Sequence, residues 1–527
     1  MPGRNGSVVR RTGFLVTAML LAAVPLAAAT SAPPPAGCAG RATTFEAGAK
    51  PVAHGTPSGG LACSTSTGYA AAESHITVLK DGTVVYTPAV LPQGTLGIGQ
   101  LPGDVATAQS NASPAALVTS RDGGRSWRLV RPDGVTWNPT DHGDYVDPVT
   151  GRWFFESYGP IPLNPAYGAD QEGPSHVVVS PNNGKTWKHS VIRDTQITEN
   201  AQFTAGPPPA GGDRPTGYPR VSYYCANLSV GFTSPLIAQR ACYRSLDGGA
   251  SWAKRSVILS SNAPVHPECG TNGENLSAID GSYPQAGPRG VLYLMVACGG
   301  HTYLAKSTDE ALTFPVLKHG EGPREVPVTP QPYLNLNTSA LQVLADGTLV
   351  VVSLENDRLL LRVSGNEGST WTTPVDVTGP GLPGVASWAI ASRGTSVALA
   401  YLAHHPSDAA YYGYVALLRD PRTVLRTGRA TVVTGQVRKE PLLFGDGQTG
   451  PGISGAGTVP GPGGTHLPFP PPFTIQLFGN DFIGAAIGPD GTPWGSFNAD
   501  CGPTPDSPAC LANGGQTRGV AGRLVLR

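Results

Sequence analysis

Four carboxylates, Asp144, Glu199, Glu274 and Asp481, each stand at or beside the start of an apolar β-type run. Two carboxylates held roughly 5–10 Å apart can cleave a glycosidic bond, one as acid and the other as base or nucleophile. Aligning the starts of the recurring apolar runs makes Ser74, Asp144, Asn200, Asn275, Asn337, Ser387 and Asp481 equivalent, with His142, Glu199, Glu274, Asn335 and Asn480 beside them. Every aligned residue is small and polar at the head of an apolar stretch. Two roles compete for such a set. Its side chains can cap strands and hold water, or they can form a polar ring that binds a glycan, a peptide or a cation. Oxygen ligands would suit calcium, but two carboxylates against five amide or hydroxyl groups make a weak cage. No metal-ligand spacing occurs and the eleven histidines do not cluster along the chain, so neither metal nor cofactor is expected; His404 and His405 read as loop residues.

The elements that would position this set are short strands joined by tight turns. GDYVDPVTGRWFFESY from Gly143, SALQVLADGTLVVVSL from Ser339 and DFIGAAIGPDGTPWGSF from Asp481 each place a D-G or T-G dipeptide between apolar runs. Runs from Glu73 and Ala386 follow the same plan, and turn dipeptides so placed signal hairpins. Counting these units gives seven, starting near residues 73, 143, 199, 274, 335, 385 and 480. The 69 glycines and 52 prolines therefore mark many turns rather than disorder.

A second pattern lies between these hairpins. SRDGGRSW, SPNNGKTW, SLDGGASW, STDEALTF and SGNEGSTW begin at Ser120, Ser180, Ser245, Ser307 and Ser364, at intervals of 60, 65, 62 and 57 residues. Each follows one β-run and precedes another. Asp122, Asn182, Asp247, Asp309 and Asn366 can accept hydrogen bonds from the N–H groups of a turn. The glycines supply its positive φ. Trp127, Trp187, Trp252, Phe314 and Trp371 close each copy as an apolar plug; the fourth is degraded, with Ala311 and Phe314 in place of Gly and Trp. Repetition at a fixed period indicates a repeat architecture.

These copies resemble the Asp box, S-x-D-x-G-x-T-W, of the sialidase-like propellers. The resemblance implies an all-β fold, a single β-propeller of six to seven four-stranded blades with Asp-box turns at the blade rims. Sialidases have six blades; the count here favours seven. The boxes would be structural, and ligands would bind at one end of the central channel. Closure would join the N-terminal strand to GRLVLR at the C-terminus. For activity, the resemblance implies three arginines clamping a carboxylate, a Tyr nucleophile polarised by Glu, and an Asp acid/base. The first arginine belongs in an R-I-P-type motif on the first blade. No arginine occurs from Ala42 to Ser120, and Arg41 lies in GRATTFEAG. Arg220, Arg289, Arg358 and Arg362 read as solvated or structural, and neither Tyr158 near Glu156 nor Tyr283 has a partner set that singles it out. The expectation is a scaffold without the sialidase centre, binding an extracellular glycan or protein at the channel mouth. The alternative is a glycoside hydrolase, exo-sialidase-like, or a lyase using Asp144, Glu199, Glu274 and Asp481.

Arg4, Arg10 and Arg11 precede an apolar run from Phe14 to about Ala29 that ends in small residues, the form of a secretory signal peptide over residues 1–31. A rival reading, a lipoprotein anchor at Cys38, is disfavoured by Pro35 and by the gap after the apolar core. An N-terminal extension at 32–67 and a propeller at 68–527 follow, with a Gly/Pro-rich loop at 445–472. No later stretch is apolar enough to span a membrane. With 36 basic and 36 acidic residues, nothing favours nucleic acid, and a monomer is expected. Eight cysteines in an exported chain point to disulfides. Neighbour pairing gives Cys38–Cys63, Cys225–Cys242, Cys269–Cys298 and Cys501–Cys510, among 105 connectivities open to eight cysteines.

Overall fold

The computed structural model describes residues 54–55, 61–70, 74–87, 117–130, 144–158, 175–193, 198–230, 237–260, 283–298, 301–314, 339–379, 382, 384–404, 410–444, 458–460, 466–468, 483–499 and 518–526. All fall within a unit spanning Pro34–Arg527; the other unit, Met1–Pro33, contributes none of them. After β1 (His54–Gly55) and β2 (Leu61–Ala70), the first blade comprises β3 (His75–Val78), β4 (Val84–Thr87), β5 (Leu117–Ser120) and β6 (Arg128–Val130). The second comprises β7 (Asp144–Val146), β8 (Trp153–Tyr158), β9 (Ser175–Ser180) and β10 (Lys188–Ile192). The third comprises β11 (Thr198–Gly206), β12 (Val221–Val230), β13 (Ile237–Ser245) and β14 (Ala253–Ser260). Three described strands build the fourth, β15 (Gln285–Ala286), β16 (Leu292–Cys298) and β17 (His301–Ser307). The fifth has β18 (Ser339–Val343), β19 (Leu349–Glu355), β20 (Arg358–Ser364) and β21 (Val375–Asp376). In the sixth, β22 (Val385–Arg393), β23 (Ser396–His404), β24 (Ala410–Arg419) and β25 (Thr431–Gln436) are joined by β26 (Leu443–Phe444) and by β1, and a short helix, α1 (Thr423–Thr427), precedes β25. A hairpin of β27 (Thr458–Pro460) and β28 (His466–Pro468) follows. The seventh blade is β29 (Gly484–Ile487), β30 (Pro493–Ala499), β31 (Arg518–Val525) and, as its outer strand, β2.

All pairs are antiparallel and, apart from β1 and β2, which add to the outer edges of the sixth and seventh blades, each blade runs outward in chain order, giving a seven-bladed propeller. Closure is the expected one: Leu61 to Ser66 of β2 pair with Val525 to Val520 of β31. The segment expected to be an N-terminal extension thus contributes strand, β1 to the sixth blade and β2 to the seventh. A blade buries both faces against its neighbours, which is why runs such as Leu349–Glu355 are buried at every position. The core is accordingly divided among the seven gaps. Leu79, Val85, Trp153 and Phe155 fill the first; Ile76, Tyr86, Ala486 and Trp494 fill the last, between the seventh blade and the first.

The five boxes are the turns that follow third strands, and in blades one, two, three and five they lead into a described fourth strand. In the first, Ser120 Oγ accepts the Gly124 N–H at 2.8 Å, Asp122 Oδ1 accepts from Arg125 N and Ser126 N at 3.0 and 2.9 Å, and the Ser126 hydroxyl donates to Oδ2 at 2.6 Å. Where Asn replaces Asp the last bond reverses, Asn182 Nδ2 donating to Thr186 Oγ1 at 2.9 Å. Each box aromatic packs into the gap with the preceding blade. Trp252 donates to Ser190 Oγ of β10 at 3.2 Å, and Phe314 of the degraded copy joins the gap between blades three and four. Gly249, at φ +95°, lies where a Cβ would meet Val179 at 2.7 Å.

The two blades without a box have physical reasons. The sixth replaces it with α1, capped by Gly428 at φ +64°. In the seventh, the third and fourth strands come from opposite ends of the chain, so no turn joins them.

Within 445–472, expected as loop, the structure places the short hairpin β27–β28; antiparallel pairing of three residues a side is tolerated there despite the prolines. The Cys225–Cys242 disulfide joins directly opposed residues of β12 and β13, buried in the gap with the fourth blade. Cys63 is buried on β2. Cys38, Cys269, Cys501, Cys510 and the side chain of Cys298 lie outside the described residues, as do the apolar N-terminal segment and the Cys38 anchor site.

Candidate functional site

Strand order gives the two faces of the ring different connections. On one face first strands turn into second strands and third into fourth, through segments such as 79–83, 344–348, 394–395 and the boxes. On the other face the chain enters each first strand and passes from second to third. The segments there include 29 residues (88–116), 24 (261–284) and 18 (500–517). Functional groups concentrate where a rigid scaffold carries long connections. The starts of β3, β7, β11, β15, β18, β22 and β29 ring that end of the channel.

Asp144, the first residue of β7, has a fully buried carboxylate, and it holds the imidazole Nδ1 of His75, the first residue of β3, in the neighbouring blade. The His75 side chain keeps 13% of its surface open. Tyr283, two residues before β15, brings its ring edge-on to His75, centroids 6.5 Å apart and planes at 70°. These three residues come from blades one, two and four. Blades one and four are not neighbours, so the Tyr283–His75 contact crosses the channel.

Other aligned positions are put to structural use. Ser74 is buried; its carbonyl accepts the Ser496 hydroxyl at 3.0 Å, tying the first blade to the seventh, and that hydroxyl accepts the Gly484 N–H at 2.8 Å. Ser387 is buried just after the bulge that opens β22. Glu199 and Asn200 lie in β11 at a bulge before Gln202, with side chains outside the described set. His142, Glu274, Asn275, Asn335, Asn337, Asn480 and Asp481 also lie outside the described residues.

His75, which the sequence does not single out, proves to be the centre of the described site, beside the expected Asp144. Alternation along β3 sends His75 to the opposite side from Ser74, toward the second blade. That parity is the signal that would have found it. Tyr283 had none, since only ring closure brings it across.

The arginines considered for a carboxylate clamp are all engaged. Arg362 is buried and forks onto Glu355, with Nη2 3.2 Å from Oε2 and Nη1 also 3.1 Å from Ser353 Oγ. Arg220 binds Asp147 at 3.3 Å and the Ala205 carbonyl at 2.5 Å. Arg358 pairs with Asp376 and Arg289 with Glu367. Glu156 does acquire a tyrosine partner, but it is Tyr224 rather than Tyr158: the Tyr224 hydroxyl donates to Glu156 Oε1 and lies 2.9 Å from Ser175 Oγ. Both residues are fully buried, with Tyr224 enclosed by Phe203, Tyr243 and Trp252. The pair is a strut between blades two and three.

Two histidines separated in sequence do come together, because strand pairing aligns residues 13 apart. His176 Nδ1 lies 2.8 Å from His189 Nε2 on β9 and β10. Burial, and for His176 the neighbouring ring, holds both below the ordinary histidine range. His404, expected in a loop, ends β23 and sets its ring edge-on to Tyr411 at 5.7 Å.

No protein-family profile matches this chain, and no curated protein does. Solved structures that it resembles include an α-L-arabinofuranosidase from Fusarium graminearum in complex with an iminosugar inhibitor, at 14% identity and TM-score 0.40, over 72% of this chain and 97% of that one. An α-L-arabinanase from Penicillium chrysogenum complexed with arabinobiose matches at 12% identity and TM-score 0.37, over 71% and 96%. The intramolecular trans-sialidase of Ruminococcus gnavus, with oseltamivir carboxylate, matches at 11% and 0.34, over 86% and 94%. Identities and scores this low transfer no residue role.

Proposed function

We propose that this is an exported propeller that binds a glycan at the end of its channel without cleaving it. The arrangement of His75, Asp144 and Tyr283 carries the reading. A sugar is recognised by an aromatic ring against its C–H face and by planar polar groups toward its hydroxyls. Tyr283 offers the first, and the His75 imidazole, fixed in direction by Asp144, offers the second. The engaged arginines argue against a clamp for an acidic sugar.

A second reading has its own observation. A buried carboxylate that orients a histidine is the arrangement of a general base with its positioning partner, so hydrolysis or elimination at the same place is the alternative. The two separate in one experiment. The purified protein is screened on a glycan array and on fluorogenic glycosides including sialosides, beside His75→Ala and Tyr283→Ala. Saturable binding lost in both variants, with no turnover, supports the proposal. Turnover abolished by His75→Ala replaces it with the enzymatic reading, and array binding unchanged in both variants removes the site altogether.

A further inference from the structure

We propose that His176 and His189 form a binding site for a divalent transition-metal ion at the rim of the second blade. The site stands on rigid backbone. In the β9–β10 register His176 faces Val191 and His189 faces Val178, so the histidines occupy a diagonal pair on one face of the sheet. Their rings stack, centroids 4.9 Å apart and planes at 23°, and two ring nitrogens converge at 2.8 Å. Two imidazole nitrogens each about 2.0–2.1 Å from a tetrahedral ion stand about 3.3 Å apart. Opening the nitrogens by about 0.5 Å, turning the rings so that both lone pairs aim at one ion, and moving the bridging proton to the other nitrogen of its ring turn the hydrogen-bonded pair into a chelating one. His189 is exposed and His176 partly so, which leaves the ion's remaining positions open to water or an external ligand.

Imidazole nitrogen selects the chemical class: zinc or copper, and not magnesium or calcium, which prefer oxygen. Among the described residues no third His, Cys, Asp or Glu joins the pair. A two-ligand site of this kind binds reversibly. It lies on the outer strands, away from the His75–Asp144 pair, and does not depend on the glycan reading.

The test uses the full, untagged chain and Zn2+ alone, followed by titration calorimetry and by the shift in thermal midpoint, with Mg2+ as the contrasting ion. One saturable Zn2+ site is expected, absent for Mg2+, lost in His176→Ala and in His189→Ala, and retained in His404→Ala. His189→Gln, which keeps a polar side chain on the strand, guards against loss through misfolding and is also expected to abolish binding. No saturable binding to the wild-type chain, or binding unchanged in the variants at 176 and 189, would reduce the pair to an ordinary imidazole–imidazole hydrogen bond.

Discussion

Trp127 donates its indole N–H to Thr65 Oγ1 at 3.0 Å, across 62 residues of chain. Trp127 closes the first box, and Thr65 lies on β2, the strand that completes the seventh blade. One bond thus ties the repeat's turn to the ring's closure. Replacing Trp127 with Phe removes that bond and part of the ring packed beside Tyr86, and should cost about 2 kcal/mol. Removing residues 61–70 should cost far more, because it strips β31 of its outer partner. Thermal melts of both variants check this; equal midpoints would mean that β2 does not close the ring.

The degraded fourth box carries Glu310 and Ala311 at φ +60° and +65°, where the first box has glycines at +72° and +86°. Glu310 offsets the strain by reaching back to Arg244 of the third blade, and both side chains are largely buried. Glu367 of the fifth blade does the same to Lys306 of the fourth. Arg244 and Lys306 are equivalent, each preceding the serine of its own box. Glu310→Gln should destabilise by about 2 kcal/mol, since Arg244 loses its buried charge partner and keeps only the exposed Asp213 at 2.8 Å. Glu310→Asn with Arg244→Thr, which copies Asn183 of the second box and Thr119 before the first, should recover most of that loss. A double-mutant cycle in denaturant reads the coupling, and additive effects would refute the ladder.

The Asp122 carboxyl is held down to about 2. Partial burial raises it, but hydrogen bonds from the Ser126 hydroxyl and N–H, the Ser120 hydroxyl and the Arg125 N–H outweigh burial. Asp247 and Asp309 are lowered in the same way. A carboxyl lowered in the folded state adds stability above its unfolded value of about 4, and that stability is lost as pH falls through the folded value. The thermal midpoint should therefore drop between pH 4 and pH 2. Asp122→Asn, Asp247→Asn and Asp309→Asn together, matching the boxes of Asn182 and Asn366, should flatten that drop. Melting curves across the pH series decide it; an unchanged slope would place the acid sensitivity elsewhere.

The Cys225–Cys242 disulfide closes a loop with a sequence separation of 17 between two fully buried residues. Cys225→Ser with Cys242→Ser should cost about 3 kcal/mol, the value for a loop of this length. In the native protein the bond should resist reductant until the third blade opens. Labelling of new thiols against time in dithiothreitol measures this, and rapid reduction under native conditions would contradict the burial.

The blade count, the position and role of the boxes and the closing strand pair were legible in the amino-acid order. Hairpin turns and rim turns are local: Asp122, Ser120 and Ser126 make their bonds within seven residues, so the pattern and the structure coincide. Contacts across the ring were not legible. Tyr283 meets His75 only because seven blades close at a particular radius. His176 meets His189, and Glu310 meets Arg244, only because strand pairing and blade stacking bring distant positions into register. Spacing along the chain carries the turns; the closed ring decides which side chains those turns deliver to one another.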